Sequence, residues 1–286
     1  MTILPDELID QEVKFICNRY KMGPESVKKI INETLQKHPK LIKKIQTINN
    51  QDLTRLNAYK CFIKEVKKTI YYQLRQYHQD VASENNLKQR LADEKNGLSE
   101  NLLKDLLASH VSSKERLPYY DDFYSQLFAL IDSPQTIVDI GCGLNPLSYP
   151  FKKSASLKNY LAIDKDSSVI NVLQQFAHHL QPIQLKPVCM EISDIVWSDF
   201  LFQSTQFDLA IMLKLIPVIH RQSKSAMTQL CQVPAKRIIL TGNIEAMTRR
   251  ENIRRREEQV LRNFIKMMGR DILGYIQIDN EFGMMI

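Results

Sequence analysis

The stretch Thr136-Ile-Val-Asp-Ile-Gly-Cys-Gly-Leu-Asn-Pro146 limits the possible folds more than any other part of the chain. An apolar, β-branched run leads directly into Gly141 and Gly143, the pattern of a buried strand ending in a tight turn. The two glycines admit backbone conformations that other residues avoid, and they let a ligand come close to the main chain. Beyond this point short apolar runs alternate with helix-like segments: Tyr160–Ile163, Leu185–Met190, Phe207–Leu213 and Arg237–Thr241. Such alternation predicts a parallel sheet covered by helices on both faces. Two last runs, Leu273–Ile278 and Glu281–Ile286, are parted by Asp279-Asn280 and are expected to close the sheet as an antiparallel pair.

A carboxylate at the end of the second run, Asp164 in Tyr160-Leu-Ala-Ile-Asp164, can accept two hydrogen bonds from ribose hydroxyls, as in dinucleotide folds. A nicotinamide fingerprint would place a third glycine three residues after the second, and Pro146 occupies that position. Asp139, two residues before Gly141, suits a cofactor that carries an ammonium group. The D-x-G-x-G pattern resembles motif I of class I methyltransferases, whose cofactor is S-adenosyl-L-methionine; a purely structural turn in another α/β domain is the competing explanation. After the third run, Glu191 with Ile192 beside it is expected near the adenine. Glu191 suits the register better than Asp194, and either acid could instead cap a helix.

The first part of the chain has a different texture. Residues 1–107 contain only two glycines, Gly23 and Gly97, and their apolar residues recur at helical spacing: Leu8, Ile9, Val13, Ile16, then Val27, Ile30, Ile31, Leu35. Gly23-Pro24 opens a helix that His38-Pro39 closes, and a further segment follows from Leu41 to Ile48. A long helix is expected from Asp52 to about Tyr77, with Leu53, Leu56, Tyr59, Phe62, Ile63, Val66 and Ile70 inward and Lys60, Lys64, Lys67 and Lys68 mainly on the other side. Ser83 to Gly97 is expected to be a connector. The boundary is therefore set between an all-helical domain, 1–107, and a Rossmann-like domain, 108–286.

Net charge is +7, and the excess is concentrated: between Lys14 and Arg75 stand fifteen Lys/Arg and four Asp/Glu. Lys-rich helices can be merely solvated surface, but dense positive charge also gains affinity for nucleic acid by releasing phosphate counterions. Five cysteines, an odd number without C-x-x-C spacing, argue against a disulfide framework or a zinc site and for a reducing cytoplasm. No secretory signal is legible at the N-terminus. The longest apolar run, Leu209–Ile219, is too short for a bilayer and is interrupted by Lys214. No membrane, no metal and a monomer are the expectations.

Four blocks carry a more specific likeness. They are His110-Val-Ser-Ser-Lys-Glu-Arg-Leu-Pro-Tyr-Tyr-Asp-Asp-Phe-Tyr124, Asp139-Ile-Gly-Cys-Gly-Leu-Asn-Pro-Leu-Ser148, Leu213-Lys-Leu-Ile-Pro-Val-Ile-His-Arg-Gln222, and Asn280-Glu281 with the apolar residues that follow. Over about residues 110–286 the chain resembles the aminoglycoside-resistance 16S rRNA (guanine-N7) methyltransferases; the helical part matches in size and charge only. The resemblance implies a seven-stranded, mostly parallel methyltransferase sheet and methyl transfer to guanine N7 in the decoding A-site of 16S rRNA in the small ribosomal subunit, with drug resistance as the outcome. It assigns Arg116 to the cofactor carboxylate, a bidentate task suited to guanidinium, with a surface salt bridge as the alternative, and Gln222 to closing the cofactor pocket. Lys214 is either a phosphate contact or a strand-end charge, and His110 and His220 are structural hydrogen-bonders rather than bases.

No catalytic residue is expected, because guanine N7 already presents an in-plane lone pair and the enzyme has mainly to align and desolvate. A base inside a helix would first have to be turned out of the stack, and Tyr149 is a candidate to hold it, with plain core packing as the alternative. One segment departs from the family. Where relatives carry a glycine-containing loop, this chain reads Leu240-Thr-Gly-Asn-Ile-Glu-Ala-Met-Thr-Arg-Arg-Glu-Asn-Ile-Arg-Arg-Arg256. Arg249, Arg250, Arg254 and Arg255 are expected to grip RNA backbone unless the stretch is a salt-bridged exposed helix. The same departure keeps open a different RNA, a small-molecule acceptor, or a relative that binds RNA without catalysis.

Overall fold

The structure, a computed structural model, describes residues 4–20, 23–45, 50–74, 89–91, 99–180, 182–201, 205–246 and 251–286. They form two compact units, 1–76 with 246–251, and 77–245 with 252–286.

The first unit is helical: α1 (Asp6–Tyr20), α2 (Pro24–Gln36), α3 (Pro39–Ile45), α4 (Asn50–Arg55) and α5 (Asn57–Leu74). Pro24 sits in the first turn of α2, where its missing N–H costs nothing. The apolar stripes converge on one core that includes Ile16, Val27, Ile31, Leu35, Phe62, Val66 and Ile70. The single long helix expected from Asp52 is broken at Leu56. There the Leu56 N–H bonds back to the Leu53 carbonyl at 3.1 Å, and Lys60 N–H to the Leu56 carbonyl at 3.1 Å starts the next helix. Geometry explains the break. At about 100° per residue, Leu53 and Phe62 would lie on opposite sides of an unbroken helix, yet both are completely buried in the same core. The expected connector, 83–97, lies outside the described residues except for helical 89–91.

After helical 89–91, the second unit continues with α6 (Glu100–Ser109), α7 (Val111–Arg116) and α8 (Tyr120–Ala129). Ser99 caps α6 by accepting from Leu102 N–H at 3.2 Å. The sheet follows: β1 (Thr136–Ile140), β2 (Asn159–Asp164), β3 (Gln184–Cys189), β4 (Phe207–Met212), β5 (Ala235–Asn243), β6 (Gly274–Ile278) and β7 (Glu281–Met285), in the order β3-β2-β1-β4-β5-β7-β6. The first five strands pair in parallel and β7 runs antiparallel to both β5 and β6, as the sequence predicts.

Alternate residues of each strand feed different cores. Ile137, Tyr160, Leu209 and Ile239 face the side covered by α6, α8 and α9 (Ser167–Ala177). Val138, Leu161, Ala210 and Ile238 face α11 (Lys224–Cys231) and α12 (Arg254–Met268); α10 (Ile216–Gln222) joins this side through Ile216. Because β1 lies between β2 and β4, the strand order reverses at its carboxyl end, where open α/β sheets leave a crevice for ligands. Gly141 stands at that point. Among the described residues no helix is long and apolar enough to cross a membrane.

Candidate cofactor site

At the end of β1 the chain turns through Gly141 (φ 63°) and Gly143 (φ 50°), both in the left-handed region. Side chains there would also collide: a Cβ at 141 would come within 2.7 Å of Leu215 Cδ1, and one at 143 within 3.0 Å of His110 Cε1. The turn is fastened to β2. Cys142 N–H donates to the Ile163 carbonyl at 3.1 Å, and Gly143 N–H donates to Asp164 Oδ2 at 2.8 Å. Asp164 Oδ1 accepts from Asp166 N–H at 3.0 Å, so backbone donors orient the carboxylate from both sides. Behind the turn lies Asp139, 1% exposed, whose Oδ2 accepts from Asn145 Nδ2 and from the Tyr160 hydroxyl, each at 2.8 Å. Burial pushes its carboxyl up to about 6, against the pull of those two donors and of Arg116.

Further along the same edge is a charge cluster built on a buried ion pair. Arg116 donates from Nε to Glu281 Oε2 at 3.0 Å, and from Nη2 to Oε2 at 2.9 Å and Oε1 at 3.1 Å. Both residues are 4% exposed. Lys214 Nζ lies 3.6 Å from Glu281 Oε2 and 2.9 Å from Glu115 Oε2. Lys214 takes positive φ (55°), and its N–H is held by Thr241 Oγ1 at 2.9 Å. Burial opposes the charge on Glu281, but Arg116 and Lys214 outweigh it, with a hydrogen bond from Thr241, and hold its carboxyl below the usual range. The cluster lines a crevice of about 160 Å³ together with Tyr119, Asp279 and Asn280.

The FmrO ribosomal RNA methyltransferase family matches residues 94–259, more than half of the chain. The chain belongs to that family. A 16S rRNA (guanine(1405)-N(7))-methyltransferase of Proteus mirabilis is 32% identical over 129 residues, 44% of this chain and 43% of that one. A protein of the same name from Frankia casuarinae is 32% identical over 117 residues, 41% of this chain and 39% of its own. This FmrO-family chain thus aligns with less than half the length of these curated relatives. Among solved structures, the 16S rRNA methylase ArmA superposes with a TM-score of 0.57 at 24% identity, covering 72% of this chain and 98% of its own. RmtB superposes with 0.54 at 18% identity, covering 97% of both. These likenesses fix the fold as that of class I methyltransferases.

Within this FmrO-family site, Gly143 is hydrogen-bonded to Asp164, and Cys142, between the two glycines, is bonded to the neighbouring Ile163 carbonyl. Glu191 follows the end of β3, which pairs with Asp164, and lies exposed 3.9 Å from Lys165; Ile192 is half-buried next to it. Gln222 is the exposed last residue of α10, and no hydrogen bond ties it to the glycine turn. Asp139 Oδ2 holds two protein donors, and the Nε/Nη2 side of Arg116 holds Glu281. Tyr149, the candidate for gripping a displaced base, is 4% exposed and packed edge-on against Tyr124, Phe128 and Tyr160, so it is core.

Of the expected RNA contacts, Lys60, Lys64 and Lys68 are exposed on α5, whereas Lys67 leans onto α1, 3.9 Å from Glu12 and 4.6 Å above the Phe15 ring. Arg254 and Arg255 are exposed in the first turn of α12, with Arg254 over Phe282 at 5.5 Å. Arg249 and Arg250 lie outside the described residues. Sequence reasoning does not single out Glu281, Tyr160 or Asn145 as site residues. The terminal Asn-Glu block holds the one sign of Glu281: an acid opening an otherwise apolar last strand needs a buried cation.

Proposed function

We propose that this chain is an S-adenosyl-L-methionine-dependent methyltransferase acting on guanine N7 in the decoding A-site of 16S rRNA in the small ribosomal subunit. The observation that carries the reading is the glycine turn pinned to Asp164 at the strand-order reversal, in a chain that belongs to a ribosomal RNA methyltransferase family. The donor set fits the cofactor: a carboxylate oriented by backbone for ribose hydroxyls, Glu191 and Ile192 at the adenine end, and the Arg116 guanidinium for the carboxylate. Bound S-adenosyl-L-methionine supplies an electrophilic methyl group.

The residues of this chain bind and orient. Guanine N7 needs no deprotonation, so His110 and His220 are assigned no base role, and alignment with water exclusion is the chemistry required. The exposed lysines of α5, with Arg254 and Arg255, supply phosphate contacts. Methylation at the drug-binding A-site would confer aminoglycoside resistance on a cytoplasmic ribosome, and the enzyme acts as a monomer.

The test is incubation with cofactor labelled in its methyl group and purified small subunits, followed by mapping of the modified nucleotide by mass spectrometry. Label at one guanine N7 of 16S rRNA is expected. Label on another RNA or on a free small molecule would move the acceptor, and no transfer despite cofactor binding would leave a non-catalytic RNA-binding relative.

A further inference from the structure

We propose that Glu281 is a positioning residue for the cofactor: it locks Arg116 so that the far edge of the guanidinium receives the carboxylate of the cofactor's amino-acid tail. The inference rests on the cofactor reading above. It begins from the shape of arginine. A guanidinium carries five N–H groups in one plane, enough for two separate forks. Here the Nε/Nη2 side is spent on Glu281, through hydrogen bonds of 2.9–3.1 Å. Planarity then turns the Nη1 edge away from Glu281. Arg116 also lines the crevice of about 160 Å³.

The fork is held on every side. Glu281 is itself fixed by Lys214 Nζ at 3.6 Å and by the Thr241 hydroxyl. The rings of Tyr120 and Phe123 flank the guanidinium carbon at 5.8 and 5.7 Å. A buried arginine without Glu281 would be a costly lone charge, free to swing toward any acid.

The opposite arrangement, in which Glu281 occupies Arg116 and the cofactor must displace it, predicts the opposite sign. Calorimetry on the full chain separates them, using two probes: S-adenosylhomocysteine, which has the amino-acid tail, and 5′-methylthioadenosine, which lacks it. Glu281→Gln should weaken S-adenosylhomocysteine about tenfold or more, the size of a charged hydrogen bond, and leave 5′-methylthioadenosine unchanged. Glu281→Asp, with a shorter reach, should fall between, and it replaces the Gln variant if that does not fold. Equal weakening of both probes, no weakening of either, or tighter S-adenosylhomocysteine would overturn the positioning role while the cofactor reading stands. A wild-type chain that binds neither probe would overturn both.

Discussion

Asp139 and Glu281 are both buried near the carboxyl edge of one sheet, 1% and 4% exposed, yet their surroundings push their acidities in opposite directions. Asp139 is met by two neutral donors, an amide and a phenol, and burial wins, lifting its carboxyl to about 6. Glu281 is met by a guanidinium and an ammonium, and the cations win. Burial is common to the two, so the sign follows from the charge of the partner. One network shapes a turn; the other holds a charged group ready beside a crevice.

The largest effect should come from breaking the charged network. Arg116→Met leaves Glu281 buried with only Lys214 and Thr241, and removing one partner of a buried pair costs about 3–5 kcal/mol. Urea unfolding should show a loss of that size, part of it recovered in Arg116→Met/Glu281→Met. A loss no larger than that of an exposed salt bridge would mean the pair contributes little to holding the sheet edge.

The next effect separates the two carboxylates by pH. Asp139 binds its proton more tightly when folded, so its contribution favours the folded state at low pH and is lost as pH rises from 3.8 to about 6. The full loss is about 3 kcal/mol from the linkage between acidity and stability. Glu281 behaves oppositely: its contribution is complete above its ordinary 4.5 and is lost only as pH falls below that. Between about pH 4.5 and 6.5, Asp139→Asn should therefore remove the part of the fall in stability that Asp139 is expected to give the wild-type chain. An unchanged slope would show that Asp139 does not titrate there.

A smaller effect tests the turn that the neutral network supports. Gly143→Ala places a Cβ at φ 50° and 3.0 Å from His110 Cε1, for a cost of about 1–2 kcal/mol in a thermal melt. Full stability would mean the turn relaxes without strain. The smallest effect on folding is expected where charges are exposed. Replacing Lys60, Lys64 and Lys68 together by Ala should alter stability by less than about 0.5 kcal/mol. The same variant should weaken RNA binding and lower its salt slope by about 0.9 for each phosphate no longer neutralised. An unchanged slope would remove these lysines from the RNA surface.

Much of this architecture is legible in the sequence. The central parallel strands β1, β2 and β4 announce themselves because strands buried on both faces are mostly apolar, whereas edge strand β3, Gln-Leu-Lys-Pro-Val-Cys, is largely exposed and shows only a short apolar signal. The closing pair is legible because Asp279-Asn280 parts two strand-like runs. The glycine turn and Asp164 are legible because positive φ and a strand-end carboxylate leave local marks. The break at Leu56 is not, since nothing near it forbids helix; only the shared core of Leu53 and Phe62 does. Nor can the partners of Asp139 and Arg116 be read, because they join residues 6, 21 and 165 positions apart.

By itself the sequence determined the order of elements, the turn geometry at Gly141 and Gly143, and the concentration of positive charge in the helical region, all properties of neighbours along the chain. Tertiary structure alone decided that Glu281 would claim Arg116, that Tyr149 would be core, and that Lys67 would turn from solvent toward Glu12. Those outcomes depend on which side chains meet across the fold, and a buried charge must take whatever partner the packing brings within reach.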